Sequence, residues 1–213
     1  MVNAERFAKG MTFEQYVRFV ATPENLAREG SRGPRKDFSG YLRTAYDAAR
    51  LSPAHEAAWT WLVGQPGGPA RVLAISEEWS SDCRRDIPVL AKLADTVGLD
   101  LRIFTRDGKT NGRGARPEPD SPNADLMAQF LNERDGQTFQ SIPVIVFYAK
   151  DFTPLYRYTE FPAVYRKDRI RAVLDDAGFM EMLGSPFFEV WRSAALAEWT
   201  SLLYERLRVG SLA

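Results

Sequence analysis

A layered α/β fold, with helices on both faces of a mixed sheet, is predicted by three features of the sequence. Val72, Leu73 and Ile75, set off by Gly67-Gly68-Pro69, read as a buried strand, and Cys83 to Leu93 repeats apolar residues at helical spacing through Ile87, Leu90 and Ala91, with Ala94 just beyond. Three further stretches suit strands: residues 100–105, 143–148 and 155–158, the last two forming a hairpin across Lys150-Asp151. Helical patterns fill the intervals, so the order β-α-β-α-β-β-α emerges.

Thr12-Phe13-Glu14-Gln15 has the form of a capping box, and Phe13, Tyr16, Val17 and Val20 follow as an apolar helical stripe. Thr22-Pro23 caps a second short helix, and Gly30 to Pro34 is a loop. Tyr41, Leu42, Ala45, Tyr46 and Ala49 mark another helix, and Ser52-Pro53 opens one that runs through Trp59, Trp61 and Leu62. Residues 108–123, rich in Gly, Arg, Pro and Asp, form an exposed loop, after which Asn123 caps a helix holding Leu126, Met127, Phe130 and Leu131. A helix spans about Ala163 to Ala177, and a long one spans Pro186 to Arg208. The apolar stripe of this last helix needs cover, from the N-terminal helices or from a second copy of the chain. The division that follows is a helical N-terminal extension (1–66), an α/β domain (67–178) and a C-terminal helical extension (179–213) on the same core.

The 213 residues are 45% hydrophobic, enough for a full core, and 28 basic residues balance 28 acidic ones. That balance gives no long-range attraction to nucleic acid or an anionic membrane. One cysteine, Cys83, excludes an internal disulfide, and no apolar run approaches the roughly 18 residues of a membrane span. The start lacks the apolar core of a secretion signal, so a reducing cytoplasm is expected.

The turn between the first strand and its helix, Trp79-Ser80-Ser81-Asp82-Cys83, places Cys83 in the first helical turn, where outward N–H groups favour a thiolate. This turn, with Ser141-Ile142-Pro143 opening a later strand, resembles the thioredoxin superfamily and its Trp-Cys-x-x-Cys and Ile-cis-Pro elements. The resemblance covers about residues 70–175 and is nearest to bacterial thioredoxin-like proteins of unassigned role with Trp-Cys-Pro-Asp at this site. It implies a thioredoxin-like three-layer α/β/α fold with a mixed sheet, plus the helical N-terminal extension and the long C-terminal helix. It also implies thiol-redox chemistry at Cys83 and Ser80, with Trp79, Ser81, Asp82, Arg84, Ile142, Pro143 and Thr159 around the substrate.

This chain departs from that pattern. Ser80 stands where the first cysteine belongs, and a hydroxyl cannot replace an attacking thiolate, so ordinary dithiol-disulfide reduction is absent. The family's buried carboxylate falls at Ala74, and its groove glycine falls near Thr159. Ser80-Ser81-Asp82-Cys83 also looks like the Thr-x-x-Cys of peroxiredoxins, in which Arg84 or Arg85 would lower the thiol pKa. Two readings follow. One is a degenerate monothiol protein acting through Cys83 on a protein disulfide, a low-molecular-weight thiol or a peroxide. The other is a non-catalytic module that binds a peptide or protein between Trp79 and Ile142-Pro143, or assembles as a homodimer through its last helix.

Other candidates are weaker. His55 reads as a surface or packing residue, and one Cys with one His cannot build a usual zinc site. Gly108 to Gly114 lacks the order of a phosphate loop. Glu77 and Glu78 read as rim charges. No metal or cofactor is expected.

Overall fold

The computed structural model of the chain describes residues 2–31 and 33–210, so Arg32, within the expected 30–34 loop, and the last three residues of the expected C-terminal extension lie outside the described residues. Helices α1 (Ala4–Ala8), α2 (Phe13–Val20) and α3 (Pro23–Leu26) come first, followed by a small hairpin of β1 (Glu29–Gly30) and β2 (Gly33–Pro34). Helices α4 (Ser39–Ala48) and α5 (Pro53–Val63) lead into β3 (Arg71–Ile75), α6 (Ser81–Val97) and β4 (Asp100–Phe104). Next come α7 (Ala124–Met127), a second small hairpin of β5 (Asn132–Arg134) and β6 (Gln137–Phe139), then β7 (Val144–Tyr148) and β8 (Pro154–Thr159). Helices α8 (Lys167–Arg171), α9 (Asp176–Leu183) and α10 (Pro186–Val209) end the described chain.

The local signals act as their chemistry requires. Both bonds of the Thr12/Gln15 capping box form, Thr22 caps α3 and Ser52 caps α5, each of these two with proline at its start. Gly98 ends α6 in the left-handed conformation, φ 77°, that suits a residue without a Cβ. Pro88 lies inside α6, where it removes one amide donor from the helix ladder; Arg192 of α10 donates to the nearby Arg85 carbonyl at 2.9 Å.

The main sheet has the order β4-β3-β7-β8. β3 runs parallel to β4 and antiparallel to β7, and β7 pairs antiparallel with β8, with Ala74 between Ile103 and Ile145. β7 is buried throughout, as the central position of a covered sheet demands. Its side chains alternate faces: Phe147 meets Trp59 of α5 and Trp199 of α10, while Tyr148 meets Phe152, which meets Phe7 of α1. Helices therefore cover both sides of the sheet, and the mixed α/β class is as expected.

The apolar stripe of α10 is covered in part from within the chain, while Phe187 and Val190 near its start stay exposed. Ala195, Leu196, Trp199 and Leu203 are buried where α10 crosses α5, α6 and β8, and Trp59 donates to the Thr200 hydroxyl at 2.8 Å. At the opposite edge, the backbone of Met11 exchanges two hydrogen bonds with Ile103 of β4, 2.9 and 2.7 Å. Gly10 makes that approach possible, because a Cβ there would fall 2.7 Å from both the Phe104 ring and the Arg102 Cβ.

Some elements differ from the sequence reading. The helix expected over 163–177 is replaced by α8 and α9, which begin later and are separated by a turn. The helix expected to carry Phe130 and Leu131 stops at Met127 and gives way to the β5-β6 hairpin. Trp199 is completely buried against Phe147 and Tyr158. Trp199→Ala is expected to cost about 3–5 kcal/mol in urea unfolding monitored by circular dichroism.

Candidate functional site

The turn after β3 positions the site. Ser80 accepts from the Cys83 amide as the N-cap of α6, so its hydroxyl is engaged by the helix. Cys83 lies in the first turn as the sequence predicts, but its side chain points inward and only 1% of the residue is exposed. The thiolate expectation is therefore corrected: burial pushes the thiol pKa up to about 12, against hydrogen bonds from Ser76, the Glu77 backbone and Ser80 that favour the anion. Asp82 adds a smaller upward push.

The two arginines expected to activate the sulfur do other work. Arg85 is fully buried and is held by Asp82 at 2.7 Å, by both oxygens of Asp86 and by the Tyr158 hydroxyl at 3.2 Å. Lys167 bonds the other oxygen of Asp82 and lies 3.3 Å from Glu160. Arg84 donates to the Glu78 and Trp79 carbonyls, both at 2.8 Å, with its guanidinium 4.1 Å from the Phe38 ring.

Glu77 and Glu78 are not rim charges. They are 0% and 1% exposed and, with Asp107, face a set of guanidiniums beneath Trp79. Arg35, itself buried, reaches Glu77 at 2.6 Å, Glu78 at 2.9 Å and Asp107 at 3.0 Å. Arg28 adds a bond to Glu77 at 3.0 Å, and Arg106 one to Asp107 at 2.7 Å. Three carboxylates thus meet three guanidiniums, and Glu77 also accepts from the Arg106 and Asp107 amides. Burial and the nearby Asp107 push Glu77 upward, against the pull of Arg28 and Arg35. Burial opposes the charge of Arg35, but Glu77 and Glu78 outweigh it and raise its pKa. The Trp79 indole donates to Asp107 at 2.9 Å, which fixes the ring over this network.

Trp79, Ser80, Asp82 and Ile142 share a cleft of about 340 Å³ with residues of the 106–113 segment. The Ile142-Pro143 peptide bond is cis. Ser81 and Arg84 line a separate cavity of about 470 Å³ on the other side of the turn. Thr159 lines neither of these; it pairs with Val144 in the sheet. His55 accepts or donates locally to Ser52 at 3.0 Å. Among the described residues, no helix is long and apolar enough to cross a membrane, and no group of three or more His, Cys, Asp or Glu side chains is placed to hold a metal ion. Sequence reasoning missed Arg28, Arg35 and Asp107; an arginine in a Gly-Pro-rich loop carries no local sign of burial.

A family model described as Thioredoxin matches residues 36–114, from the segment before α4 through the turn and β4. With the strand order above, this match supports a place in the thioredoxin-like superfamily. A Pseudomonas aeruginosa protein of unknown function superposes with a TM-score of 0.54 at 15% identity, covering 96% of this chain and 98% of that one. An HIV epitope-scaffold superposes with a TM-score of 0.55 at 16% identity, with the same coverage. Likeness at these identities concerns the fold. No curated protein matches the chain.

Removing Arg35 would leave three buried carboxylates undercompensated. Arg35→Ala is expected to cost about 3–5 kcal/mol in urea unfolding, while the exposed Arg43→Ala changes stability by less than about 0.5 kcal/mol. The thiol makes a separate prediction. Its folded pKa lies above its ordinary value of 9.0, so between pH 9 and about 12 the unfolded chain loses a proton that the folded chain keeps. Folding therefore loses stability as pH rises through that window, by at most about 1.4 kcal/mol per pH unit. Cys83→Ala is expected to flatten this alkaline loss when urea midpoints at pH 8 and pH 10 are compared.

Proposed function

We propose that this chain is a thioredoxin-fold binding module that holds its partner at the turn around Trp79 and Ser80 without exchanging thiols. The observation that carries this reading is the state of Cys83: buried, with its pKa pushed up to about 12. An attacking sulfur must be an accessible thiolate, and here it is neither. Ser80, at the position of the family's attacking cysteine, accepts the Cys83 amide as the helix cap and has no thiol to offer. The cleft that brings Trp79 and Ile142 together supports an extended partner as occupant.

A second reading has one favourable observation. Ser76, the Glu77 backbone and Ser80 surround the sulfur with groups that stabilise an anion. Were a partner to open the turn, the Cys83 thiolate would attack a protein or small-molecule disulfide, forming a mixed disulfide and releasing the other sulfur as a thiol, or attack a peroxide, forming a sulfenic acid and releasing water or an alcohol. A second thiol from the partner would have to resolve either product.

Alkylation by iodoacetamide separates the two. The binding reading expects Cys83 of the native chain to react at least about a hundredfold more slowly than in urea at pH 8, with a rate still rising at pH 10. It also expects a Cys83→Ser chain to retain the partners captured by the wild type. Fast native alkylation with an apparent pKa below about 8.5, or loss of capture together with loss of a covalent adduct, would replace it with the monothiol reading.

A further inference from the structure

The cavity of about 470 Å³ between the β1-β2 hairpin, the start of α6 and helix α9 falls in the size range of small-molecule sites, roughly 300–1,000 Å³. Its lining has two characters. One wall is apolar, made by Phe179, Met180 and Leu183 of α9 and faced by Phe38 and Trp79. The charge on the remainder is mainly cationic, from Arg35, Lys36, Arg84, Lys167 and Arg171 among small and polar residues. Asp82 is the one carboxylate on the described lining, and Arg85 and Lys167 already hold it.

The cations of this cavity differ in how the fold treats them. Arg35 and Lys167 are neutralised by the carboxylates beside them. Lys36, Arg84 and Arg171 have no carboxylate partner among the described residues. Arg84 is the informative one. It is half-buried, braced by the Phe38 ring, and uses only Nη1, on two backbone carbonyls; Nε and Nη2 have no acceptor among the described residues. Burial lowers its pKa and outweighs the pull of the more distant Glu78 and Asp82, whereas carboxylates in direct contact raise those of Arg35, Arg85 and Lys167. A desolvated guanidinium with no carboxylate in hydrogen-bond reach is stabilised by an incoming anion, and its planar fork suits two oxygens of one acid group. Arg171 is oriented in turn by the Phe179 ring, 4.2 Å from its guanidinium.

We propose that this cavity binds a small amphipathic anion, with its acid group held by Arg84 together with Lys36 and Arg171 and its apolar body lying along Phe179, Met180 and Leu183. The proposal deepens the binding reading above and rests on it, because Trp79 and Ser80 belong to both the cleft and this cavity.

Isothermal titration calorimetry of the full chain with decanoate, decyl phosphate and decanol tests it. Both anions are expected to bind at least about tenfold more tightly than decanol, and the tighter of the two identifies the head group as carboxylate or phosphate. Arg84→Gln is expected to weaken binding of that anion by roughly tenfold or more, and the exposed Lys36→Gln and Arg171→Gln, which leave the buried network intact, by severalfold. Raising the salt concentration is expected to weaken all of these. Decanol binding as tightly as the anions, anion affinity untouched by the two exposed substitutions, or no binding at millimolar ligand would each overturn the proposal. Rapid native alkylation of Cys83 in the same preparation would instead overturn the binding reading, so the two failures are distinguishable.

Discussion

The ion network beneath Trp79 is the constraint on which the rest of the site depends. Arg35 arrives from the segment after the first small hairpin, Glu77 and Glu78 from the turn after β3, and Asp107 from the end of β4. Each charge alone would be very costly to bury, and together they are tolerable only in one arrangement. That arrangement fixes three separate chain segments at once. The N-terminal extension is thereby made part of the site: without Arg28 and Arg35 the turn would carry two unbalanced carboxylates, Glu77 and Glu78, and without the turn those arginines would lose their buried partners.

The same network accompanies a turn that differs from the pattern the resemblance implies. In the superfamily this chain resembles, the region around the helix start serves an exposed sulfur. Here an engaged hydroxyl, a buried thiol and a tryptophan tied to Asp107 occupy the corresponding places. Ala74, at the position of the family's buried carboxylate, packs as an apolar residue within the sheet, while acidic side chains gather a few residues later and face arginines in place of a disulfide. The local electrostatics hold charge in place, which supports the binding reading proposed above.

Much of the scaffold was legible in the sequence because its determinants are local. A capping box, a proline at the start of a helix and a run such as VIVFY act over a few residues, and they produced α2, α3, α5 and β7 where they were expected. The site was less legible because its determinants are distant. Whether Glu77 is a rim charge or a core residue depends on an arginine 42 positions away, and no periodicity encodes that meeting. Cys83 shows the same limit from the other side: helix position argues for a thiolate, but burial decides the outcome, and burial comes from the whole fold. The β5-β6 hairpin escaped because Asn132 to Phe139 is short and polar, without the alternation that marks a half-buried strand.

The paired backbone at Met11 and Ile103 has a consequence for how the molecule behaves among its neighbours. A sheet whose outer strand is open presents a row of unpaired donors and acceptors, which is a template for another chain. By laying the segment around Gly10 against β4, the chain spends two of those groups on itself and places the Phe104 ring and the Arg102 stem under its own N-terminus. The segment around Met11 thus acts as a short self-made selvedge at Ile103, narrowing what the β4 edge offers to another chain.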